Sequence, residues 1–366
     1  MSRLVVVGGG VIGTALAVEA IDRGHEVIQI EREQEPRGAS VRNFGLVWIC
    51  GRAGGRELEL ALDGRRRWEA LARRAPAIGF RPTGSRVVVA HEAEVDLVNA
   101  ACARDDAPLR GFRALTAAQA RELEPSLGEL VGALHSPLDA VVEPAAAVAA
   151  LRSLAAESDR YRFISGRTVV EAEGNRVRDH TGEETSADLV AICTGTDTEL
   201  LPESTDGLVV RYLQMLGTAP LSQPLRTALA GGDAMRYYPA FDLPERAALP
   251  PADPRVDRFG AQLLIAPRPD GRLTIGDTHV DDRPGLFGSE EDADRYLLER
   301  AEDVLGVTLP RIERRWTGSY LRRSEGSDPP LPRLSSNGRL LVTGVGGMGM
   351  TAAPAFAAEA ADLAGL

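Results

Sequence analysis

Three features of the chain predict an α/β protein, with a Rossmann-like unit assembled from separated stretches and a second, α+β domain holding an antiparallel sheet. The first is the run Arg3-Leu4-Val5-Val6-Val7, which enters Gly8-Gly9-Gly10-Val11-Ile12-Gly13 and then the helix formers Thr14 to Ala20. The second is Val27-Ile28-Gln29-Ile30, closed by Glu31 at roughly the 20-residue offset expected for an acid that takes a ribose hydroxyl. The third lies at the other end, where Leu340-Leu341-Val342-Thr343 leads through Gly344 to Gly349 into an alanine-rich helix. In the first motif Gly8 makes the tight turn and Gly10 lets backbone approach a pyrophosphate, with Val11 and Ile12 opening the helix. Gly13 lets helix and strand pack closely, and the helix N-terminus attracts phosphate charge. Strand, turn, helix, second strand and terminal acid fall in order, so the motif predicts a bound dinucleotide rather than a chance glycine turn.

Composition narrows the class. With 366 residues, 44% of them hydrophobic, the chain can bury a large core and divide into two domains. A net charge of -11 argues against nucleic acid and anionic membrane surfaces as partners. No apolar run approaches the roughly 18 residues of a membrane span, and the early fingerprint is expected to leave no room for a signal peptide. Cys50, Cys102 and Cys193 are few and scattered, which predicts reduced cytoplasmic thiols and neither a disulfide framework nor a metal site. His25, His91, His135, His180 and His279 show no ligand spacing. All 42 basic residues are arginine, so no lysine amine is on hand for a Schiff base or for catalysis.

The remaining elements follow in order. Residues 56 to 75 read as a helix with Leu58, Leu60, Leu62, Trp68 and Leu71 among charged residues. Gly84 to Ala90 reads as a strand, 92 to 104 as a helix, and Leu115-Thr116 as the cap of another. Pro144 opens an alanine-rich helix over Ala145 to Glu157. Arg167–Val170 and Asn175–Arg178 suggest a hairpin, and Asp188 to Cys193 a buried strand ending at Thr194-Gly195. Further strands are expected at Met235–Tyr238, Gln262–Ile265 and Leu273–Gly276, a proline-rich surface loop at Pro244–Pro254, and a helix at Ser289–Leu305. Dinucleotide-like elements at the start, middle and end predict a discontinuous domain over 1–84, 140–208 and 315–366. A second domain is expected to fill 85–139 and 209–314.

Five motifs spread from residue 4 to residue 356 resemble the D-amino-acid oxidase-like family of FAD-dependent oxidoreductases, which includes glycine oxidase, sarcosine oxidase and D-amino-acid dehydrogenase. They are Gly8–Gly13 with Glu31; Gly38-Ala39-Ser40-Val41-Arg42-Asn43-Phe44-Gly45; Val142-Glu143-Pro144; Ala191-Ile192-Cys193-Thr194-Gly195; and Gly344-Val345-Gly346-Gly347-Met348-Gly349-Met350-Thr351. The resemblance implies a glutathione-reductase-type FAD domain with a second domain roofing the flavin. It implies FAD contacts from Gly8, Gly10, Val11, Ile12, Gly13, Glu31, Arg32, Ala39, Ser40, Asn43, Phe44, Gly45, Val169, Thr194 and Gly195. Gly346, Gly347, Met348, Gly349, Met350 and Thr351 are expected at the pyrimidine edge, where small residues admit backbone amides and the following helix presents its positive end. The segment Ala39 to Trp48 is further similar to a branch associated with aminoalkylphosphonate degradation.

One departure bears on the substrate. Glycine oxidase-like members carry Trp-x-Gly-x-Arg-Pro, whose arginine takes the substrate carboxylate by a fork of hydrogen bonds. Here the stretch is Trp316-Thr317-Gly318-Ser319-Tyr320-Leu321-Arg322-Arg323, with Tyr320 in the arginine position. Arg322 and Arg323 then serve either a longer anionic substrate or a solvated edge. Arg42 serves either substrate or cofactor phosphate; Arg86, Arg236 and Arg268 are further anion candidates. Tyr237 and His279 are expected at the substrate, and of Tyr237 and Tyr238 a strand would aim only one inward. Cys50 is a remote candidate for flavin attachment. The resemblance implies hydride transfer from a small anionic or zwitterionic amine to flavin N5, giving an imine and then an aldehyde, with oxygen or another acceptor taking the electrons. The rivals are an amino-acid oxidase with relocated carboxylate recognition and an accessory FAD-binding subunit.

Overall fold

The structure is a computed structural model; it describes residues 1–201, 207–281, 288–324, 332–335 and 338–366. Apolar β-branched runs form the centre of a six-stranded sheet. Arg3–Val7 lies between Glu26–Ile30 and Leu189–Ile192, all parallel, with Tyr161–Ile164 beyond the former and Leu340–Leu341 beyond the latter. Both faces of such a sheet are covered, which is why Leu4, Val5 and Val6 are fully buried. The expected hairpin after residue 167 is a three-stranded meander, Val169–Glu173, Arg176–Asp179 and Glu184–Ser186.

Three helices cover one face of this sheet: Val11–Asp22, Pro144–Ala155 and Gly349–Leu363. The helix Arg56–Arg74 packs outside the last of these, and Gly64 allows the contact, because a Cβ there would stand 2.3 Å from the Thr351 carbonyl oxygen. Pro354 sits inside the C-terminal helix. It has no N–H to offer the Met350 carbonyl, and Trp68 Nε1 supplies that hydrogen bond instead at 2.7 Å.

A nine-stranded mixed sheet forms the second layer system. Its longest pair, Leu208–Thr218 and Ile312–Arg323, is antiparallel and lies toward one edge, and strands Leu273–Gly276, Leu264–Pro267 and Ala228–Gly231 continue the sheet toward Ser85–Val89. The helix Glu291–Leu305 packs beneath. One expected strand is absent: Ala234–Tyr237 is a single helical turn followed by the short turn Pro239–Phe241. Aromatic residues favour strands only when a neighbour pairs with them, and here Pro239 ends the run after two tyrosines. Within the expected loop Pro244–Pro254, residues Pro244–Ala248 form a 3₁₀ turn. The buried Asp139 carboxylate joins the parts, accepting from Ile49 N at 2.5 Å, Cys50 N at 3.1 Å and Ser85 Oγ at 2.5 Å.

Candidate functional site

A continuous cleft of about 1240 Å³ is lined from both sheets. On one side, the helices Val11–Asp22 and Gly349–Leu363 pack together and turn their N-termini toward it, with Val11, Ile12, Gly349 and Met350 on the wall. Two helix N-termini at one cleft favour negative charge there. Gly8, with φ of 118°, lies so close to Cys193 that a Cβ would meet its carbonyl oxygen at 2.4 Å. Ser40 Oγ accepts from Val11 N at 2.9 Å, and Glu31 accepts from Gly9 N at 2.5 Å and from Glu33 N at 2.9 Å.

Gly8, Gly10, Val11, Ile12, Glu31, Arg32, Ala39, Ser40, Asn43 and Phe44 all reach the cleft wall, as do Val169, Thr194, Gly195 and the loop Gly346 to Met350. Three residues expected to touch the cofactor stand behind the wall. Gly13 serves packing, since a Cβ would lie 2.3 Å from the Gly8 carbonyl oxygen. Gly45 holds a turn at φ 69°, with Val142 O where a Cβ would go. Thr351 is buried, and its Oγ1 accepts from Trp48 N at 3.0 Å, pinning that segment to the helix start.

The anion candidates sort by position. Arg86 and Arg268 are off the wall. Arg86 is buried in a strand; Arg268 binds the carbonyls of Phe44 and Val142 and thereby shapes the turn before the cleft. Arg236 is on the wall and donates to the Pro250 carbonyl. Arg42 is on the wall and exposed, with Nη1 on the Thr317 carbonyl at 3.0 Å. Arg322 and Arg323 both reach the cleft but leave opposite faces of their strand, so they do not converge as a pair. Arg322 binds Asp281 through Nε, at 3.2 Å, and through Nη2. Cys50 is fully buried, off the wall, and burial pushes its thiol well above the usual range, which removes it as a nucleophile for attachment.

Sequence reading missed several groups that the fold brings in. Arg211 is the cross-strand partner of Tyr320, and its fork clamps Asp281 at 2.7 and 2.8 Å while Nη1 donates to Tyr237 Oη at 3.1 Å. Burial works against the charge on Asp281, yet hydrogen bonds from Arg211 and Arg322 hold its carboxyl well below the usual range. Arg52, also buried, donates to the carbonyls of Trp48 at 2.8 Å and Gly347 at 3.2 Å, placing a cation beside the glycine loop. Because Tyr237 and Tyr238 sit on a turn and not a strand, both face the cleft, edge to face at 5.0 Å. His279 stacks on Tyr237 at 4.2 Å, and Trp48 lies 5.8 Å from Tyr238. Beside them Asp277 is buried, and burial raises its carboxyl to about 7; burial likewise pushes the His279 imidazole down to about 3.

A family profile described as DAO, FAD dependent oxidoreductase, matches residues 3–363. The chain belongs to this family of FAD-dependent oxidoreductases. Among solved structures it is similar to glycine oxidase from Geobacillus kaustophilus, at 22% identity and TM-score 0.79, covering 100% of this chain and 95% of that one. It is also similar to an iminodiacetate oxidase from a Chelativorans species, at 19% identity and TM-score 0.76, covering 99% and 94%. FAD-bound L-α-glycerophosphate oxidase from Mycoplasma pneumoniae follows, at 18% identity and TM-score 0.79, covering 100% and 95%. Compared by sequence with curated proteins, the chain has no match. The cofactor of this DAO-family protein is therefore FAD, and the cleft fits it. Side chains at Gly9 and Gly10 would collide at 2.9 Å with Glu31 and Ser40, so bare backbone forms the cradle. Trp48 Nε1 is buried on the wall without a partner among the described residues, a donor left for a ligand. Among the described residues no cluster of side chains suits a metal ion, and no helix is long and apolar enough to cross a membrane.

Proposed function

We propose that the protein oxidises the C–N bond of a small amine bearing an anionic head group, with an aminoalkylphosphonate as the preferred class. The observation that carries this is the surroundings of Tyr320. Where related enzymes place a carboxylate-binding arginine, Tyr320 stands opposite Arg211 and two residues before Arg322 on its own strand, and the two guanidiniums share the single carboxylate of Asp281. The two guanidiniums carry one positive charge more than Asp281 offsets. A bulky anion suits that edge, with Arg42 held against the same strand at the Thr317 carbonyl, better than the short reach of glycine does.

The same reading gives the cofactor residues their work. Amides of Gly10 and Ile12 and the helix behind them would hold the pyrophosphate, Glu31 a ribose, Val169 and Thr194 the adenosine end, and Gly346 to Met350 the pyrimidine edge. Bound FAD supplies the two-electron acceptor, and the oxidised amine leaves as an imine that water hydrolyses to an aldehyde. Oxygen or another acceptor would take the electrons from the loaded protein. The chain's own groups bind the anion, exclude water with the Trp48–Tyr238–Tyr237–His279 wall, and orient the amine. The three free cysteines suit a reducing, cytoplasmic setting.

A second reading is an amino-acid oxidase of the glycine, sarcosine or D-amino-acid type. It is favoured by the register, since Arg211 directly opposite Tyr320 relocates the missing arginine by one strand. Anaerobic bleaching of the bound flavin by a panel of glycine, sarcosine, D-alanine, 2-aminoethylphosphonate and its N-methyl derivative separates the two. Bleaching by none of them would point to an accessory FAD-binding subunit.

A further inference from the structure

The amine end of the substrate site has its own chemistry, and the argument rests on the C–N reading above. His279 Nδ1 lies 3.0 Å from the Gly260 carbonyl, which only accepts, so Nδ1 carries the ring proton. In the neutral ring Nε2 is then a lone pair, and it faces Asp277 Oδ2 at 3.4 Å. A proton on Asp277 Oδ2 can bridge to this lone pair, and once the carboxyl ionises two acceptors face each other with no donor between them. On the other side of the carboxyl, Gln262 Nε2 donates to Asp277 Oδ1 at 3.3 Å and to Tyr238 Oη at 3.0 Å, while Gln262 Oε1 is buried without a partner. Tyr237 stacks on the imidazole, so aromatic faces border the carboxyl, as they do in sites that recognise ammonium groups.

We propose that Asp277 is the residue that pairs with the substrate's ammonium group and takes its proton, with His279 Nε2 accepting a second N–H. The balance is one proton: an N–H bond of the ammonium breaks, an O–H bond forms on Asp277 Oδ2, and the nitrogen keeps its lone pair for C–N oxidation. Burial suits the carboxyl to this exchange, because a group at about 7 holds the proton far better than an ordinary carboxylate and still releases it near neutrality. The charged and titratable groups around it are His279 on its own segment, Tyr237 and Tyr238 on the turn, Arg211 and Tyr320 on the long strands, and the Asp281–Arg322 pair beyond Arg211. None is a carboxylate free to replace it, since Asp281 is held by two arginines.

The test uses FAD-loaded wild type and Asp277→Asn, with paired ligands that differ only in the amine: 2-aminoethylphosphonate with ethylphosphonate, and glycine with acetate. Ligand affinity is read from perturbation of the flavin spectrum, and flavin reduction from anaerobic rapid mixing between pH 6 and 10. The Asn variant should keep its FAD and bind the amine-free ligand within twofold, yet lose at least tenfold for the amine. Its limiting reduction rate should fall at least 100-fold at pH 7 and recover about tenfold per pH unit as free amine becomes available. In wild type alone, amine affinity should rise as pH passes 7 while amine-free affinity does not. Equal losses for both ligands, or an unchanged pH profile, would overturn the assignment while leaving C–N oxidation standing. A wild-type flavin that no amine of either pair bleaches would remove the C–N reading and the role of Asp277 with it.

Discussion

Replacing Arg322 by methionine isolates the anion site from the fold. Asp281 receives hydrogen bonds from two guanidiniums, and without Arg322 it keeps the bidentate fork of Arg211 at 2.7 and 2.8 Å. No buried carboxylate is orphaned, so stability should change by no more than about 1 kcal/mol, the worth of a partly exposed ion pair. The surplus positive charge, however, disappears. A unit charge about 4 Å from an anion contributes roughly 4 kcal/mol at an effective dielectric of 20, and truncation of one partner in a desolvated pair costs about 2–5 kcal/mol. Arg322 is 17% exposed on its side chain, which favours the lower half of that range. Affinity for an anionic ligand should therefore fall by about 30- to 300-fold. The assay is titration of the bound flavin's spectrum with ethylphosphonate, with FAD content measured alongside. Full retention of ethylphosphonate affinity in Arg322→Met would refute the placement of the anion at this edge; a parallel loss of FAD would show that Arg322 serves the cofactor instead.

Two other outcomes follow from the same geometry. Glu31→Ala removes a carboxylate that caps Gly9 N and Glu33 N and, on this reading, a ribose acceptor; at about 1.5–3 kcal/mol per charge-assisted bond, FAD should dissociate at least tenfold more readily in ultrafiltration, and equal retention would count against the assignment. The His279 imidazole is depressed to about 3 from an unfolded value of 6.5, so its contribution is fully present above pH 6.5 and fades as pH falls toward 3. Asp277, raised to about 7, has the opposite sign, its uncharged form favouring the fold below pH 4 and its ionisation eroding that by pH 7. Thermal melts should therefore show His279→Leu losing less stability than wild type between pH 6.5 and 4, and Asp277→Asn losing more; parallel curves would contradict both shifts.

The cofactor half of the site was legible because its signals are local. Gly8 to Gly13 and Glu31, read from spacing, and the loop from Gly344, read from the family resemblance, each join a strand to the element that follows, and the fold brings Gly8, Gly10, Glu31 and Gly346 to Met350 to one cleft wall. Thr351 and Gly45 lie next to that wall and not on it, a difference of one residue that turn geometry decides. On the other side of the cleft, Arg42, Tyr237, His279, Tyr320, Arg322 and Arg323 reach the wall as expected, but the groups that face them were not legible, because register brings them in. Arg211 meets Tyr320 only through the pairing of two long strands 109 positions apart, and Asp277 meets Gln262 and Tyr238 across others. Tyr320 in place of an arginine was the available hint to look at its cross-strand partner, Arg211. Tyr237 and Tyr238 read as a strand because aromatic runs usually do, and only the following Pro239 signalled the turn that lets both face inward.

The most direct measurement is the ratio of second-order rate constants for anaerobic flavin reduction by 2-aminoethylphosphonate and by glycine, taken on the FAD-loaded protein at pH 8. Binding of the anion by Arg211, Arg322 and Arg42 predicts a ratio well above tenfold in favour of the phosphonate. A ratio near one, or a preference for glycine, would contradict it.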